Sequence, residues 1–164
     1  MTLQIQPITP SDWPDVRAIY EQGIATGLAT FETTTPSWPD WNNSRLFHSR
    51  LIAREGPVVG WAALSRVSKR PCYDGVAEVG IYVAASARGR GVGLALLQAL
   101  IVSAETHGIW TLQGATIAEN TASLALQTKC GFRIVGRRVR IAKLAGVWRD
   151  TVLTERRSEK IGVD

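Results

Sequence analysis

The sequence predicts a domain of the α/β or α+β class built on a mixed β-sheet. The main observation is the order of patterns between residues 76 and 116, where an apolar strand pattern, a glycine-rich turn, a long apolar helix and another strand pattern follow one another. This order makes the two strands parallel neighbours joined by a right-handed crossover. The second observation is two pairs of strand patterns separated only by a short turn, which is typical of antiparallel hairpins.

The elements before residue 70 follow from hydrophobic spacing and from the positions of Gly, Pro, Ser and Thr. They are a strand at 3–8, a helix that begins after Thr9 or Ser11, an irregular loop at 26–41 whose tail turns helical between about Ser37 and Leu46, and two strands at 50–55 and 57–68 around a turn at Glu55 and Gly56. The capping residues and the apolar spacing of the first helix make it the best marked of these elements.

The second half of the chain predicts two further helices among four strands. They are a strand at 76–84, a helix at 93–108 ended by Gly108, a strand at 110–116, a helix with Asn120 as N-cap and Gly131 as its stop, and two strands within 133–157 around Ala145 and Gly146. Alternation along the strand at 76–84 puts Val79, Ile81 and Val83 on one face and Glu78, Gly80 and Tyr82 on the other.

Composition narrows the class of protein. The chain has 164 residues, 45% apolar and 20% charged, which suits one globular domain with a buried core. Two distant cysteines without a Cys/His cluster argue against zinc, and the N-terminal stretch lacks the pattern of a signal peptide. We therefore expect a cytoplasmic protein with no metal and no membrane partner, in which residues 1–157 form one domain and residues 158–164 a polar tail.

The stretch RGRGVG at 88–93 predicts an anion site. Nineteen basic against fourteen acidic side chains give a net charge of +5. Two of the basic residues, Arg88 and Arg90, lie where a buried strand meets the start of a helix. Glycine lets the backbone approach a ligand there, and the first helical N–H groups favour phosphate oxygens. The third glycine of a dinucleotide fingerprint and the G-K-[ST] of a Walker A loop are both missing. A plain surface turn or an RNA contact remains the alternative at this point.

Glu78 is the candidate catalytic group because it interrupts an apolar strand. A carboxylate there is costly unless it has a function or a partner. It is therefore either a general base or a structural carboxylate paired with an arginine such as Arg70.

RGRGVG resembles the [RQ]-x-x-G-x-[GA] signature of the GCN5-related N-acetyltransferases (GNAT), with Arg88, Gly91 and Gly93 at its defining positions. ENTASLALQTKCGF at 119–132 is similar to the N-x-x-[AS]-x-x-L-x-x-K-x-G-F element of the same family. ATFET at 29–33, R-x-x-Y at 70–73 and G-x-W-x-D at 146–150 resemble the phosphinothricin and methionine sulfoximine acetyltransferase subgroup. The likeness spans about residues 3 to 157.

The resemblance implies a single GNAT-like domain whose mixed, mostly antiparallel sheet has a splayed parallel strand pair and is flanked by helices. It implies acetyl-CoA as acyl donor, a small-molecule amine as acceptor, a homodimer and no nucleic acid. The backbone of Ile81, Tyr82 and Val83 would pair with the pantetheine arm, with a backbone N–H near Val83 at the oxyanion. The remaining cofactor residues would be Arg88, Gly89, Arg90, Gly91, Val92, Gly93, Leu94, Asn120 and Ser123.

The resemblance also assigns the acceptor site. Glu78 would be the base, Phe31 an apolar wall and Thr33 a hydroxyl contact, while Arg70 or Arg66 would hold a carboxylate and Tyr73 would lie beside them. Phe31 is equally interpretable as a loop anchor in the core. The expected reaction is acetylation of the α-amine of a small amino acid or analogue of the phosphinothricin, methionine sulfoximine or methionine sulfone type. The alternatives are a peptide, a protein N-terminus or a polyamine as acceptor, or a non-catalytic acyl-CoA- or RNA-binding module.

Two positions depart from the family pattern. Gln127 stands where many relatives have a tyrosine that protonates the leaving thiolate, so that acid is unassigned, and Tyr82 is a speculative substitute. Gly80 stands where subgroup members usually have Ser or Thr, which puts the acceptor in doubt.

Overall fold

The computed structural model describes residues 2–164 and contains one seven-stranded sheet in the order β1-β2-β3-β4-β5-β7-β6. All neighbours are antiparallel except β4 and β5, which are parallel. The predicted fold class is therefore confirmed. The elements are β1 Gln4–Pro7, α1 Trp13–Ala25, α2 Trp38–Ser44, β2 Leu51–Arg54, β3 Val58–Arg66, β4 Val76–Val83, α3 Val92–Thr106, β5 Thr111–Ile117, α4 Thr121–Lys129, β6 Arg133–Leu144 and β7 Val147–Arg157.

The helices begin where the sequence places capping residues. Thr9 forms a capping box with Asp12 ahead of α1, the Ser37 hydroxyl accepts from the Asp40 N–H at the start of α2, and Asn120 caps α4. The start of α3 is different, because Gly91 occupies the N-cap with φ at 83° and offers no side-chain cap. Its first N–H groups are thus left for another acceptor.

The helices cover the two faces of the sheet. On one face α1 and α2 pack through an aromatic cluster, in which Tyr20 and Trp41 contact Trp61 and the Trp61 ring stacks on Tyr82 at 4.6 Å. On the other face α3 packs against β3, where a Cβ on Gly60 would meet Leu96 and Val92. Burial of these apolar side chains on both faces is the main source of stability.

The parallel pairing of β4 with β5 is short. Within residues 2–164, this leaves one large opening in the sheet. β4 and β5 pair only at Val76–Glu78 against Thr111–Gln113. Beyond that point β4 continues to pair with β3, while β5 pairs with β7 along its whole length. The strands therefore diverge after Glu78, as the splayed pair of the expected fold requires.

The C-terminal residues fold back on the domain. The buried Ser158 hydroxyl donates to Glu105 at 2.8 Å, and Arg157 donates to the carbonyls of Trp110 and Ile161. Within residues 2–164 no helix has both the length and the apolar character needed to cross a bilayer.

Candidate active site

A cavity of about 1010 Å³ occupies the gap between β4 and β5. It extends from the loop after α1, across the open backbone of β4, to the start of α3 and the side of α4. The predicted residues that line it are Phe31, Glu78, Ile81, Tyr82, Val83, Arg88, Gly89, Gly91, Val92, Gly93, Leu94, Asn120 and Ser123.

Glu78 lies on the last register position at which β4 and β5 still pair. It is half-buried, and its carboxylate accepts a hydrogen bond from the amide of Gln113 at 3.0 Å. Arg70, the structural partner that the sequence suggested for Glu78, does not pair with it. Its side chain is exposed, and its guanidinium lies 5.6 Å from the Tyr73 ring centre. The amide fixes the orientation of the carboxylate without neutralising its charge, which leaves Glu78 able to accept a proton.

The backbone of β4 turns free hydrogen-bonding groups towards the gap. The Ala84 N–H donates to the Val59 carbonyl at 2.8 Å, on the β3 side. Since backbone groups alternate between the two edges of a strand, those of Ile81 and Val83 point away from β3 and into the gap. The side chain of Arg88 reaches the same edge, where its Nε donates to the Val83 carbonyl at 3.2 Å.

The glycine-rich turn forms an open concave surface at the start of α3. Gly89 and Gly91 have φ of 73° and 83°, a conformation that other residues rarely adopt, and a Cβ added to either would meet no atom within 4 Å. The uncapped N–H groups of α3 face this space. Arg90 is the exception among the predicted residues, because its guanidinium pairs with Glu55 at 2.5 Å and lies outside the cavity lining.

Residue Asn120 lies across the gap from the glycine-rich turn. Its side-chain oxygen accepts from the Ser123 N–H at 3.3 Å, so it caps α4 while it lines the cavity. The combination of free strand edge, uncapped helix start, open glycines and basic Arg88 suits a ligand that carries both amide groups and phosphates.

Gln127 is a buried structural group. Its side chain is 4% exposed, its amide donates to the hydroxyls of Thr116 at 2.8 Å and Ser123 at 3.0 Å, and its carbonyl oxygen accepts from the Thr154 hydroxyl. Gly114 permits this approach, since a Cβ there would lie 2.5 Å from the Gln127 oxygen. Gln127 thus holds α4 against β5 and β7, at the position where the family resemblance implies a proton donor.

Tyr82 is poorly suited to replace that acid. It is packed edge-on against Tyr20 at 4.8 Å and stacked on Trp61, and burial raises the pKa of its hydroxyl above the ordinary value. A phenol with a raised pKa holds its proton more tightly, and this opposes transfer to a thiolate.

The acceptor end of the cavity differs from the expected residue set. Phe31 lines it, but Thr33 lines a separate hollow of about 360 Å³ beside α1, and Arg66, Arg70 and Tyr73 are outside the lining. Two polar residues that the sequence reasoning missed, Arg45 and Ser65, line the cavity near Glu78 instead. No sequence pattern indicates that Arg45 belongs to the site. It follows a short helix and reaches the cavity only through tertiary packing.

The chain matches known proteins along most of its length. Residues 13–132 match the model of the acetyltransferase (GNAT) family. The chain is 32% identical to phosphinothricin N-acetyltransferase from Alcaligenes faecalis over 93% of this chain and 81% of that protein. It is 29% identical to an L-methionine sulfoximine/L-methionine sulfone acetyltransferase from Pseudomonas aeruginosa, over 92% of this chain and 91% of that protein.

A similar solved structure is that of a GNAT superfamily phosphinothricin acetyltransferase from Sinorhizobium meliloti in complex with acetyl-CoA. The TM-score is 0.87 at 27% identity, and the match covers 96% of this chain and 89% of that chain. No group of three or more His, Cys, Asp or Glu side chains that could hold a metal ion is found within residues 2–164.

Replacing Gln127 tests the structural role of its amide. We expect Gln127→Met to lower the free energy of unfolding by about 2 kcal/mol, because it removes the hydrogen bond to the buried Thr116 hydroxyl and leaves the Thr154 hydroxyl only the distant Gly114 carbonyl at 3.4 Å. Urea denaturation at neutral pH measures the change. Gln98→Met on the exposed surface of α3 is the matched control and stays within about 0.5 kcal/mol of the parent. Equal stability of the two variants would contradict the assignment.

Proposed function

Because the chain belongs to the acetyltransferase (GNAT) family, it is an N-acetyltransferase, and we propose that it acetylates the α-amine of a small amino acid or amino-acid analogue with acetyl-CoA as donor. One observation carries the proposal. A single cavity joins an oriented carboxylate, a free strand edge and an uncapped, glycine-lined helix start. The substrates named for the similar acetyltransferases, phosphinothricin and methionine sulfoximine or sulfone, supply the acceptor class.

The residues present fit acetyl-CoA. The strand edge at Ile81 and Val83 offers backbone partners for the amides of the pantetheine arm. The backbone groups of Tyr82, which the sequence also predicted as a partner, point to β3 instead because the direction alternates along the strand. The turn from Arg88 to Leu94 offers helix N–H groups and a guanidinium for the pyrophosphate, and Asn120 and Ser123 border the same space. Of the predicted set, Arg90 is the least supported because Glu55 already neutralises it. When bound, acetyl-CoA supplies an activated acyl group.

Glu78 is the proposed general base. The acceptor amine must lose a proton to become nucleophilic, and a carboxylate held by Gln113 can take that proton directly or through one water. The Val83 N–H, which points into the gap, is the proposed donor to the acyl oxygen as charge develops on it. Both groups lie on β4, so one strand fixes the distance between them.

No protein acid is needed for the leaving group in this proposal. The two candidates are unsuited, because the Gln127 amide is committed to hydrogen bonds and Tyr82 holds its proton tightly. The thiol of coenzyme A resembles that of cysteine, whose pKa is about 8.5, so it leaves as a thiolate at moderate cost.

A small acceptor is favoured over a peptide by the loop after α1. Thr35 in this loop is held to α1 by hydrogen bonds with Arg17 at 3.2 Å and Glu21 at 3.3 Å. The preceding segment, residues 28–32, lines the cavity. A loop that folds over the acceptor end limits the length of chain that can enter, whereas a peptide acceptor requires an open groove.

An acceptor panel tests the proposed function. We expect acetyl-CoA-dependent release of free thiol with L-methionine sulfone, L-methionine sulfoximine or phosphinothricin, and much slower release with short peptides or spermidine. Thiol detection under steady-state conditions gives kcat/KM for each acceptor, and reactions without acceptor correct for hydrolysis. Turnover confined to peptides or polyamines would refute the amino-acid acceptor.

Replacing Glu78 tests the base. We expect Glu78→Gln to reduce kcat by about 10²- to 10⁴-fold because the amide cannot accept the proton, while calorimetry finds unchanged affinity for acetyl-CoA. Glu159→Gln, on the exposed tail, is the matched control and keeps full activity. Retained turnover in Glu78→Gln would exclude the carboxylate as base, and loss of acetyl-CoA affinity would point to a structural role.

A homodimer formed through the β6–β7 hairpin is also proposed. β6 is an edge strand, and the hairpin exposes several large apolar side chains that a partner would cover, namely Ile134, Val135, Val139, Ile141, Val147 and Trp148. We expect light scattering to give twice the chain mass, and Val139→Lys (69% exposed) to give the monomer. Val102→Lys on α3, where Val102 is 61% exposed, is the control that stays dimeric. A monomeric parent chain would refute this proposal.

A cytoplasmic location is the remaining proposal. Cys72 is exposed, and both cysteines are free thiols, a state that reducing compartments preserve. Cell fractionation that finds the protein in an oxidising compartment would contradict it.

A further inference from the structure

Arg45 leaves the backbone from a fixed point beside the acceptor end of the cavity. It directly follows α2, and its carbonyl accepts from the Arg50 guanidinium at 3.0 Å. The next residue, Leu46, donates its N–H to the Leu64 carbonyl of β3 at 2.9 Å. The backbone around Arg45 is therefore anchored to the sheet, which limits where its side chain can reach.

The guanidinium of Arg45 is held on aromatic rings. Its central carbon lies 5.7 Å from the Trp41 ring centre and 5.8 Å from that of Trp61. These contacts favour the observed position of the group, since a guanidinium is attracted to indole faces. The charge is thus preorganised before any ligand arrives.

The charge of Arg45 has no anionic partner in the part of the chain that the structure describes. None of the ion pairs there includes it, and its Nε is buried without a hydrogen-bond acceptor. A buried donor without a partner is costly, and a guanidinium binds a carboxylate in a two-pronged geometry. In contrast, Arg66 is exposed and already paired with Asp74 at 3.0 Å.

Gly80 faces the guanidinium of Arg45. A Cβ built on Gly80 would lie 3.7 Å from Nη1 of Arg45, which is an ordinary contact, so only the atoms of a side chain longer than that of alanine could crowd the guanidinium. Gly80 lies two residues from Glu78 on the same face of β4, which corresponds to roughly 7 Å. The base and the free cation are therefore close enough for one small molecule to contact both.

We propose that Arg45 binds the α-carboxylate of the acceptor amino acid, and that Gly80 is the residue that makes room for it. The inference rests on the proposed function and adds the group that selects an amino acid over a plain amine. In an α-amino acid the amine and the carboxylate are on one carbon, as Glu78 and Arg45 require. The phosphates of the donor are excluded as its ligand, because Arg45 lies on the α1–α2 face while the glycine-rich turn leads into α3 on the opposite face.

The test compares an acid acceptor with its neutral analogue. For the parent enzyme we expect kcat/KM to be higher with L-methionine sulfone than with L-methionine sulfone amide. Arg45→Gln should lower kcat/KM for the acid by about 10- to 100-fold, mainly through KM, because it removes a charge-assisted pair. The same variant should change kcat/KM for the amide by less than about 3-fold, and Arg45→Lys should recover part of the loss for the acid.

Three further measurements keep the result interpretable. Unchanged affinity of Arg45→Gln for acetyl-CoA, measured by calorimetry, shows that the variant is folded. Arg66→Gln is the matched surface control and should leave the acid-to-amide ratio unchanged. Gly80→Thr should raise KM for the acid more than for the amide, because its side chain crowds the guanidinium.

The outcomes separate this inference from the proposed function. If Arg45→Gln lowers activity towards acid and amide equally, or towards neither, the carboxylate role is overturned while acetylation of amino acids stands. The same holds if Arg45→Gln does not fold and Gly80→Thr raises KM for the acid and the amide equally. If the parent enzyme acetylates neither acceptor but does acetylate peptides, the proposed function itself fails and the inference fails with it.

Discussion

The separation of β4 from β5 after Glu78 is the constraint on which the rest of this structure depends. Buried backbone N–H and C=O groups need partners, and β5 finds them in β7 while the gap side of β4 is left open. An open strand edge in the middle of a sheet is unfavourable unless a ligand completes it. The cavity, the open backbone groups of Ile81, the free N–H of Val83 and the position of Glu78 all follow from the point at which pairing stops.

The gap stays open because each side of it is anchored independently. β4 is held by seven register pairs with β3, from Gly60 against Val83 to Arg66 against Ala77. On the other side, the buried hydrogen bonds of Gln127 tie α4 to β5 and β7. A network of this kind is stabilising only while every member is satisfied. This explains why a glutamine suits position 127, where each polar atom of its side chain has a partner.

Much of the fold could be predicted from local patterns, since capping residues, glycine stops and apolar spacing act over a few residues. Residues that line the cavity could be predicted where a motif marks them, as for Arg88, Gly91, Gly93 and Asn120, or where a charge interrupts an apolar strand, as for Glu78. Arg90 shows the limit of motifs, because its pairing with Glu55 depends on a turn 35 residues away. The cavity residues near Glu78 are harder still to predict, since Arg45 and Ser65 come from separate elements and no spacing links them to Glu78.

The sequence by itself determined the order of the elements, the mixed sheet, the glycine-lined helix start and the unusual carboxylate in β4. These features follow from side-chain preferences of neighbouring residues. Only the tertiary structure decided which charges stay free, because pairing depends on distances between segments far apart in the chain. Arg90 is neutralised by Glu55, the Gln127 amide is fully engaged by threonine and serine hydroxyls, and Arg45 lies against two indole rings with an Nε that has no hydrogen-bond acceptor.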